Sequence, residues 1–352
     1  MNTPRRNGAA PGRVPVRYFA LLVDFLEKQG VDIARLLELA GIESGLMQRA
    51  DGMLMLNEAQ ALIDASYRLS GRQDLGFEVG LRIKPNSHGL LGYGMLSCRD
   101  LDQMFRLASR HYHLITELFT MRFRRTPRGG EVVFSPVTAM PLGVLRFHME
   151  SIAVSLHDHL VLLSGAGANG WSLSLGMSEP RHRARYERLS PGRFHFDDRA
   201  LPGVTLSIDV PTLDRPLPMA APQVVEQIEE GLELPKRRPA PEDSWGDYIT
   251  MLLREARGRR VTLEDIARCM SISGRTIDRK LKQERLQFRE LSQQIRFERA
   301  RDLLAQRHAT VAVVAEQLGF TDPANFGRAF KRRTGETPGR FQQAATAVGT
   351  AA

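Results

Sequence analysis

From Val14 to His113 apolar side chains return every three or four positions, the period of helices with one buried face. That pattern predicts helices over Tyr18–Gln29 and Ile33–Ala40, broken at Gly30, and a helix running from an Asn57 cap to about Leu69. A short helical piece over Leu75–Leu81 and a helix over Leu101–His113 follow. The period then becomes two. Leu118–Arg125 sets Phe119, Met121 and Phe123 against Arg122 and Arg124, a Pro-Arg-Gly-Gly turn follows, and Glu131–Val137 continues, which reads as a hairpin. A long helix over Leu142–Leu163, strands at Trp171–Met177, Phe194–Phe196 and Val204–Ile208, and a helix over Gln223–Leu232 complete the region. It is therefore expected to be α+β. Residues 1–13 carry no period and read as a disordered tail ahead of a domain of residues 14–233. Leu234–Asp243, with three prolines and no apolar period, reads as a linker.

The pattern beyond residue 244 is all helical and repeats itself. Thr262–Lys282 and Val311–Lys331 each read as a helix-turn-helix. Ile266-Ala267 returns as Val314-Ala315, an offset of 48, whereas Arg279, Leu281 and Lys282 return as Arg328, Phe330 and Lys331, an offset of 49. One residue has entered between the two helices of the second unit. Boundary signals agree: Thr262 and Ser273 are placed to cap helices in the first unit. In the second, Gly319 closes one helix, Thr321 or Asp322 caps the next, and Pro323 suits its first position. Ile277, Leu281, Phe326 and Phe330 form the inward stripes. Phe288–Ala305 keeps its own helical period and joins the units as a long helix. An all-α domain over residues 244–344 is expected.

The closing block from Ala315 to Pro338 (AEQLGFTDPANFGRAFKRRTGETP) closely resembles the signature of the AraC/XylS family of bacterial transcription regulators. Further up the chain, His88–Cys98 (HGLLGYGMLSC) is similar to a subgroup whose amino-terminal domain is labelled arabinose-binding. The resemblance implies promoter DNA as partner, activation through RNA polymerase, and an amino-terminal domain that senses a small molecule and self-associates, giving a homodimer. It also implies a small β-barrel around a sugar in some members, from which the mixed α+β pattern here departs.

Charge supports the same partner. The chain carries a formal +9, and 20 basic against 12 acidic residues lie from Ser244 onward. On the first recognition helix Arg275, Asp278 and Arg279 face outward; Arg275 can donate two bonds to guanine, and Asp278 can accept from cytosine or orient an arginine. Ala324, Asn325 and Arg328 take the corresponding face of the second, with Asn325 suited to adenine. Lys282, Lys331, Arg332 and Arg333 fall near helix ends and suit phosphates.

Other chemistry finds little support. His111, His113 and Glu117, and His157, Asp158 and His159, have spacings that place paired histidines on different helix faces, so no metal site is expected. No phosphate loop, Gly-x-Ser-x-Gly or paired cysteines occur, and no cofactor is expected. The glycine-rich run at 165–170 follows a helix and precedes a strand, the wrong order for a dinucleotide fingerprint. Cys98 and Cys269 lie in separate domains, which points to a reducing cytoplasm; neither a membrane span nor a signal peptide is evident. Arg181–Arg185 is a solvated basic face, or else a site for an anion or accessory DNA contact.

An effector pocket is assigned to Gly92 and Tyr93 with the hairpin residues Phe119, Phe123 and Phe134. Close backbone packing is the alternative for the glycines at 89–94. The function expected is an effector-responsive, DNA-binding transcription activator that is not an enzyme. The alternatives are a DNA-binding module fused to a repair-type enzyme, for which Cys98 lacks a histidine partner or zinc set, and a passive DNA-binding structural protein.

Overall fold

The computed structural model describes residues 13–49, 51–165, 170–232, 244–256, 261–270, 272–306, 309–320 and 322–348. The linker expected at 234–243, most of the amino-terminal tail and residues 166–169 of the glycine-rich run lie outside them. The chain divides into two compact units, one of Met1–Asp197 and Pro202–Asp243 and the other of Asp198–Leu201 and Ser244–Ala352.

The first unit opens with β1 (Arg13–Pro15), α1 (Val16–Lys28), α2 (Ile33–Ala40) and β2 (Met53–Met55), with β1 antiparallel to β2 and Arg13 opposite Met55. Arg13, assigned to the tail by sequence, is thus in a strand. Three residues are too few to display an alternation. α3 (Leu56–Ser70) starts one residue before the expected Asn57 cap. Its cap is Met55, whose backbone N–H donates to Glu58 Oε2 at 2.8 Å. α4 (Leu75–Arg82), α5 (Leu90–Ser97) and α6 (Leu101–His111) follow, then the hairpin of β3 (Phe119–Thr126) and β4 (Gly129–Pro136). Its register sets Phe119 opposite Pro136 and Thr126 opposite Gly129.

The long α7 (Leu142–Ser164) leads to β5 (Trp171–Leu175), α8 (Arg183–Tyr186), β6 (Arg193–Phe196), β7 (Val204–Asp209), α9 (Val210–Leu213) and α10 (Pro222–Gly231). The sheet order is β3-β4-β7-β5-β6, antiparallel except for the parallel β5–β6 pair. The unit is α+β, as its periods implied.

α4 lies against α7 through two glycines. A Cβ on Gly76 would stand 2.6 Å from the Phe147 carbonyl oxygen, and one on Gly80 would stand 2.7 Å from Val154 Cβ. Ser151 Oγ spans the seam to the Gly76 carbonyl at 3.0 Å. Backbone therefore meets backbone here, which larger residues would prevent.

The basic run at 181–185 is not a free cationic face. Arg183 pairs with Glu179 and Glu187, and Arg185 pairs with Asp74 and Glu78 while its guanidinium lies 4.2 Å from the Phe77 ring centroid.

The second unit is all helical: α11 (Trp245–Glu255), α12 (Leu263–Met270), α13 (Gly274–Gln283), α14 (Phe288–Leu304), α15 (Val311–Gln317), α16 (Pro323–Thr334) and α17 (Pro338–Val348). α11 has no counterpart in the repeat. It packs on α13 and α14, burying Tyr248, Ile249 and Leu252. Ala300 and Leu304 from α14 join Val314, Ala315, Phe326 and Phe330 in one buried cluster, so the long helix shares a core with the second unit.

Candidate DNA-reading heads and ligand cavity

Both helix-turn-helix units are built by the same local chemistry. Thr262 Oγ1 accepts the Asp265 N–H at 3.1 Å to start α12, and Thr310 caps α15 by accepting from Val313 N–H. Ser273 Oγ caps α13 through Thr276 N–H at 3.2 Å, and Asp322 Oδ1 caps α16 through Ala324 N–H at 2.9 Å. Within the turns Ile272 N–H donates to the Ala267 carbonyl, and Phe320 N–H to the Ala315 carbonyl. These equivalent bonds keep the offset of 48, whereas the caps Ser273 and Asp322 are 49 apart, so the extra residue lies between Phe320 and Asp322. Gly319, with φ of 73°, takes the left-handed conformation that ends α15.

On α13 the buried Ile277 and Leu281 leave Arg275, Arg279 and Lys282 exposed. Asp278 is half-buried, and its carboxylate lies 2.7 Å from Lys282 Nζ, so the residue assigned to a base and the one assigned to a phosphate hold each other. On α16 Ala324, Asn325 and Arg328 are exposed, and the Arg328 guanidinium donates to Asn325 Oδ1. Lys331, Arg332 and Arg333 are exposed in its last turn, where cations offset the unpaired carbonyls.

In the first unit α1, α4, α5, α6, α7 and the β3–β4 hairpin border a cavity of about 100 Å³. Phe119 and Phe134 line it. Gly92, Tyr93 and Phe123 are not among its lining residues, which corrects the sequence assignment. A Cβ on Gly92 would fall 1.8 Å from the Pro85 carbonyl oxygen, so that glycine serves close packing. Tyr93 is 56 % exposed, and Phe123 turns to Phe105 and Arg106.

The polar groups at the cavity are ones that periodicity did not single out. Tyr18 Oη and His88 Nδ1 are 2.8 Å apart, and His88 and His159 meet edge to face at 5.4 Å. His159 Nε2 donates to the Ile83 carbonyl at 3.2 Å, while His157 Nδ1 accepts from Trp171 Nε1 at 3.4 Å. His157 and His159 on α7 are thus bonded within the core. Burial lowers the His88 pKa and pushes those of His148 and His159 down to about 4, so all three are neutral at neutral pH. His148 Nε2 is buried with no hydrogen-bond partner among the described residues. A histidine within the apolar turns of α7 was the signal available in sequence.

The family model described as the arabinose-binding domain of AraC transcription regulators, N-terminal, matches residues 30–216, and a helix-turn-helix domain model matches 266–344. The chain belongs to the AraC family. This AraC-family chain is 26 % identical over 332 residues to the ornithine utilization regulator of Pseudomonas aeruginosa, spanning 94 % of this chain and 96 % of that one. It is 25 % identical over 346 residues to an uncharacterized HTH-type transcriptional regulator of Mycobacterium tuberculosis, with the same coverage of both chains. Among solved structures, transcriptional regulator CdpR from Pseudomonas aeruginosa matches 93 % of this chain and 98 % of its own at 19 % identity, with a TM-score of 0.41. The bifunctional transcriptional activator/DNA repair enzyme AdaA of Bacillus subtilis matches over only 110 residues, 31 % of this chain. The protein is a sequence-specific DNA-binding transcription regulator and not a member of an enzyme family. No helix among the described residues is long and apolar enough to cross a membrane.

Proposed function

We propose that this AraC-family protein is a cytoplasmic transcription activator whose residues 14–233 bind a small effector in the cavity beside α7, and whose residues 244–344 read promoter DNA. The observation that carries the effector reading is the cavity itself, walled by aromatic side chains, among them His148, whose buried Nε2 has no partner among the described residues. Effector binding shifts the populated arrangement of a homodimer and so changes promoter occupancy, with activation through RNA polymerase. In each head the second helix enters a major groove. Arg275, Arg279, Ala324, Asn325 and Arg328 face base edges, with Asp278 beside them, and Lys282, Lys331, Arg332 and Arg333 meet phosphates. The Pseudomonas aeruginosa relative is named for ornithine utilization, so ornithine is included among the metabolites tested.

The test is a promoter–reporter response to added metabolites, measured with the intact chain and with Ile152→Trp, which fills the cavity from α7. The variant is expected to keep its promoter footprint and lose the response. A response unchanged by Ile152→Trp would remove the cavity from the mechanism.

A further inference from the structure

The chemistry of the cavity narrows what can occupy it. We infer that the effector is an uncharged molecule of single-ring size carrying one hydroxyl or carbonyl group. This inference rests on the reading that the effector occupies the cavity. A volume of about 100 Å³ is of the same order as the engineered apolar cavity of about 150 Å³ that accepts benzene. Phe19, Phe105, Phe119, Phe134 and Phe147 supply flat apolar walls. Among the described residues no Asp, Glu, Lys or Arg lines the space.

The polar atoms present suit one small polar group. Ser151 and Ser155 spend their hydroxyl protons on helix carbonyls, at Phe147 or Gly76 and at Ile152. What is left is the Tyr18–His88 pair, which can offer a donor or an acceptor according to its tautomer, the hydroxyls of Tyr112 and Thr116, and the unpartnered Nε2 of His148. A ligand hydroxyl or carbonyl bonded there would satisfy a buried group that is otherwise costly to leave unmade. Among the lining residues a carboxylate would find no cation, because burial holds the imidazoles neutral and Arg17, whose guanidinium lies over the Tyr18 ring, is not one of them, and an ammonium would find no carboxylate. A sugar would set most of its hydroxyls against the phenylalanine walls, and ornithine would bring charges at both ends that no lining residue pairs.

The test compares one ring in three charge states. Benzyl alcohol, benzoate and benzylamine, with phenol, benzaldehyde, L-ornithine and L-arabinose, are titrated calorimetrically into the full chain at neutral pH. Benzyl alcohol, phenol or benzaldehyde is expected to bind saturably and raise Tm, with benzoate and benzylamine weaker by more than about a hundredfold. Ile152→Trp should abolish the binding; Ile152→Phe, a smaller intrusion, serves if the tryptophan variant does not fold. Tighter binding of L-ornithine, benzoate, benzylamine or L-arabinose that is lost in the filled variant overturns the inference and leaves the cavity as the effector site. The same binding retained in the filled variant overturns both. Absence of saturable binding by all three neutral rings also overturns the inference.

Discussion

The Glu284 carboxylate, just past the end of α13, accepts the backbone N–H of Trp245 at 2.6 Å and thereby adds to the Ser244 cap of a helix 39 residues earlier in the chain. Its other oxygen takes the Gly246 N–H at 2.9 Å and the Ser244 hydroxyl at 3.0 Å. At the opposite end of α11, Arg299 from α14 donates to the carbonyls of Leu253, Arg254 and Ala256. α11 is thus held at both ends by side chains of the first reading head and the long helix, with the sign of charge that each helix end favours.

Removing that clamp should destabilise the second unit. Glu284→Ala is expected to cost about 1–2 kcal/mol, since it leaves N-terminal amides without their acceptor. Glu284→Gln, which keeps one oxygen, should cost less. Urea unfolding of the full chain, followed through Trp245 fluorescence, checks both; equal stability of wild type and Glu284→Ala would refute the capping role.

Arg275 and Lys331 should fail in different ways. Arg275→Ala is expected to cost about 1–3 kcal/mol on the cognate site and to relax preference at one base pair. Lys331→Ala should weaken cognate and random duplex alike and flatten the salt slope by about one. Binding titrations at several salt concentrations separate them. Equal losses on both duplexes for Arg275→Ala would take it off the base edge.

The Asp278–Lys282 pair gives a prediction of opposite sign. Asp278→Ala frees the Lys282 ammonium and removes a negative charge from the DNA-facing helix. Affinity for random duplex should rise and the salt slope should steepen by up to about one. If random-duplex affinity falls instead, Asp278 is orienting a cation that the DNA needs.

Gly92 has no room for a side chain, because the Pro85 carbonyl occupies the position of its Cβ. Gly92→Ala is expected to lower stability by about 1–3 kcal/mol through forced separation of α5 from the turn before it. Thermal melting with and without an effector decides the matter: a normal Tm with a lost effector response would return Gly92 to the ligand site.

Stability should also fall with acid in a defined window. His148 and His159 stay neutral in the folded chain down to about pH 4, against 6.5 for a free imidazole. The unfolded chain therefore binds more protons between those limits, and stability rises with pH across them. The contribution is complete above pH 6.5 and gone near pH 4, up to about 3 kcal/mol for each histidine. His148→Phe should flatten the pH dependence of the urea midpoint over that interval. An unchanged slope would mean that His148 titrates normally.

The reading heads were legible because their chemistry is local. Ser273, Asp322, Pro323 and Gly319 announce helix ends within one or two residues of where they act, and Phe326 and Phe330 mark a stripe by spacing alone. The cavity was not. Tyr18, His88 and the α7 residues His148 and His159 come from three separate stretches, and nothing in the spacing between those stretches says that folding brings them to one space. Gly76 and Gly80 were equally silent: a glycine serving close approach and one serving a turn look the same until the neighbouring backbone is in place. The glycines of α5 drew attention for being dense, yet at Gly92 the density reflects packing.

The glycine seam between α4 and α7 gives the cavity unequal sides. Where backbone abuts backbone, with Ser151 fastened to the Gly76 carbonyl, neither helix can slide or lean without breaking a bond or opening a gap. Across the cavity stand Met95, Met104 and Met121, unbranched side chains that change shape at small cost. A guest that enters is therefore accommodated by the thioether side, and displacement passes into α5, α6 and β3 while α4 and α7 act as an anvil. Hydrogen exchange would register this as altered protection in those three elements against an unchanged pair of helices.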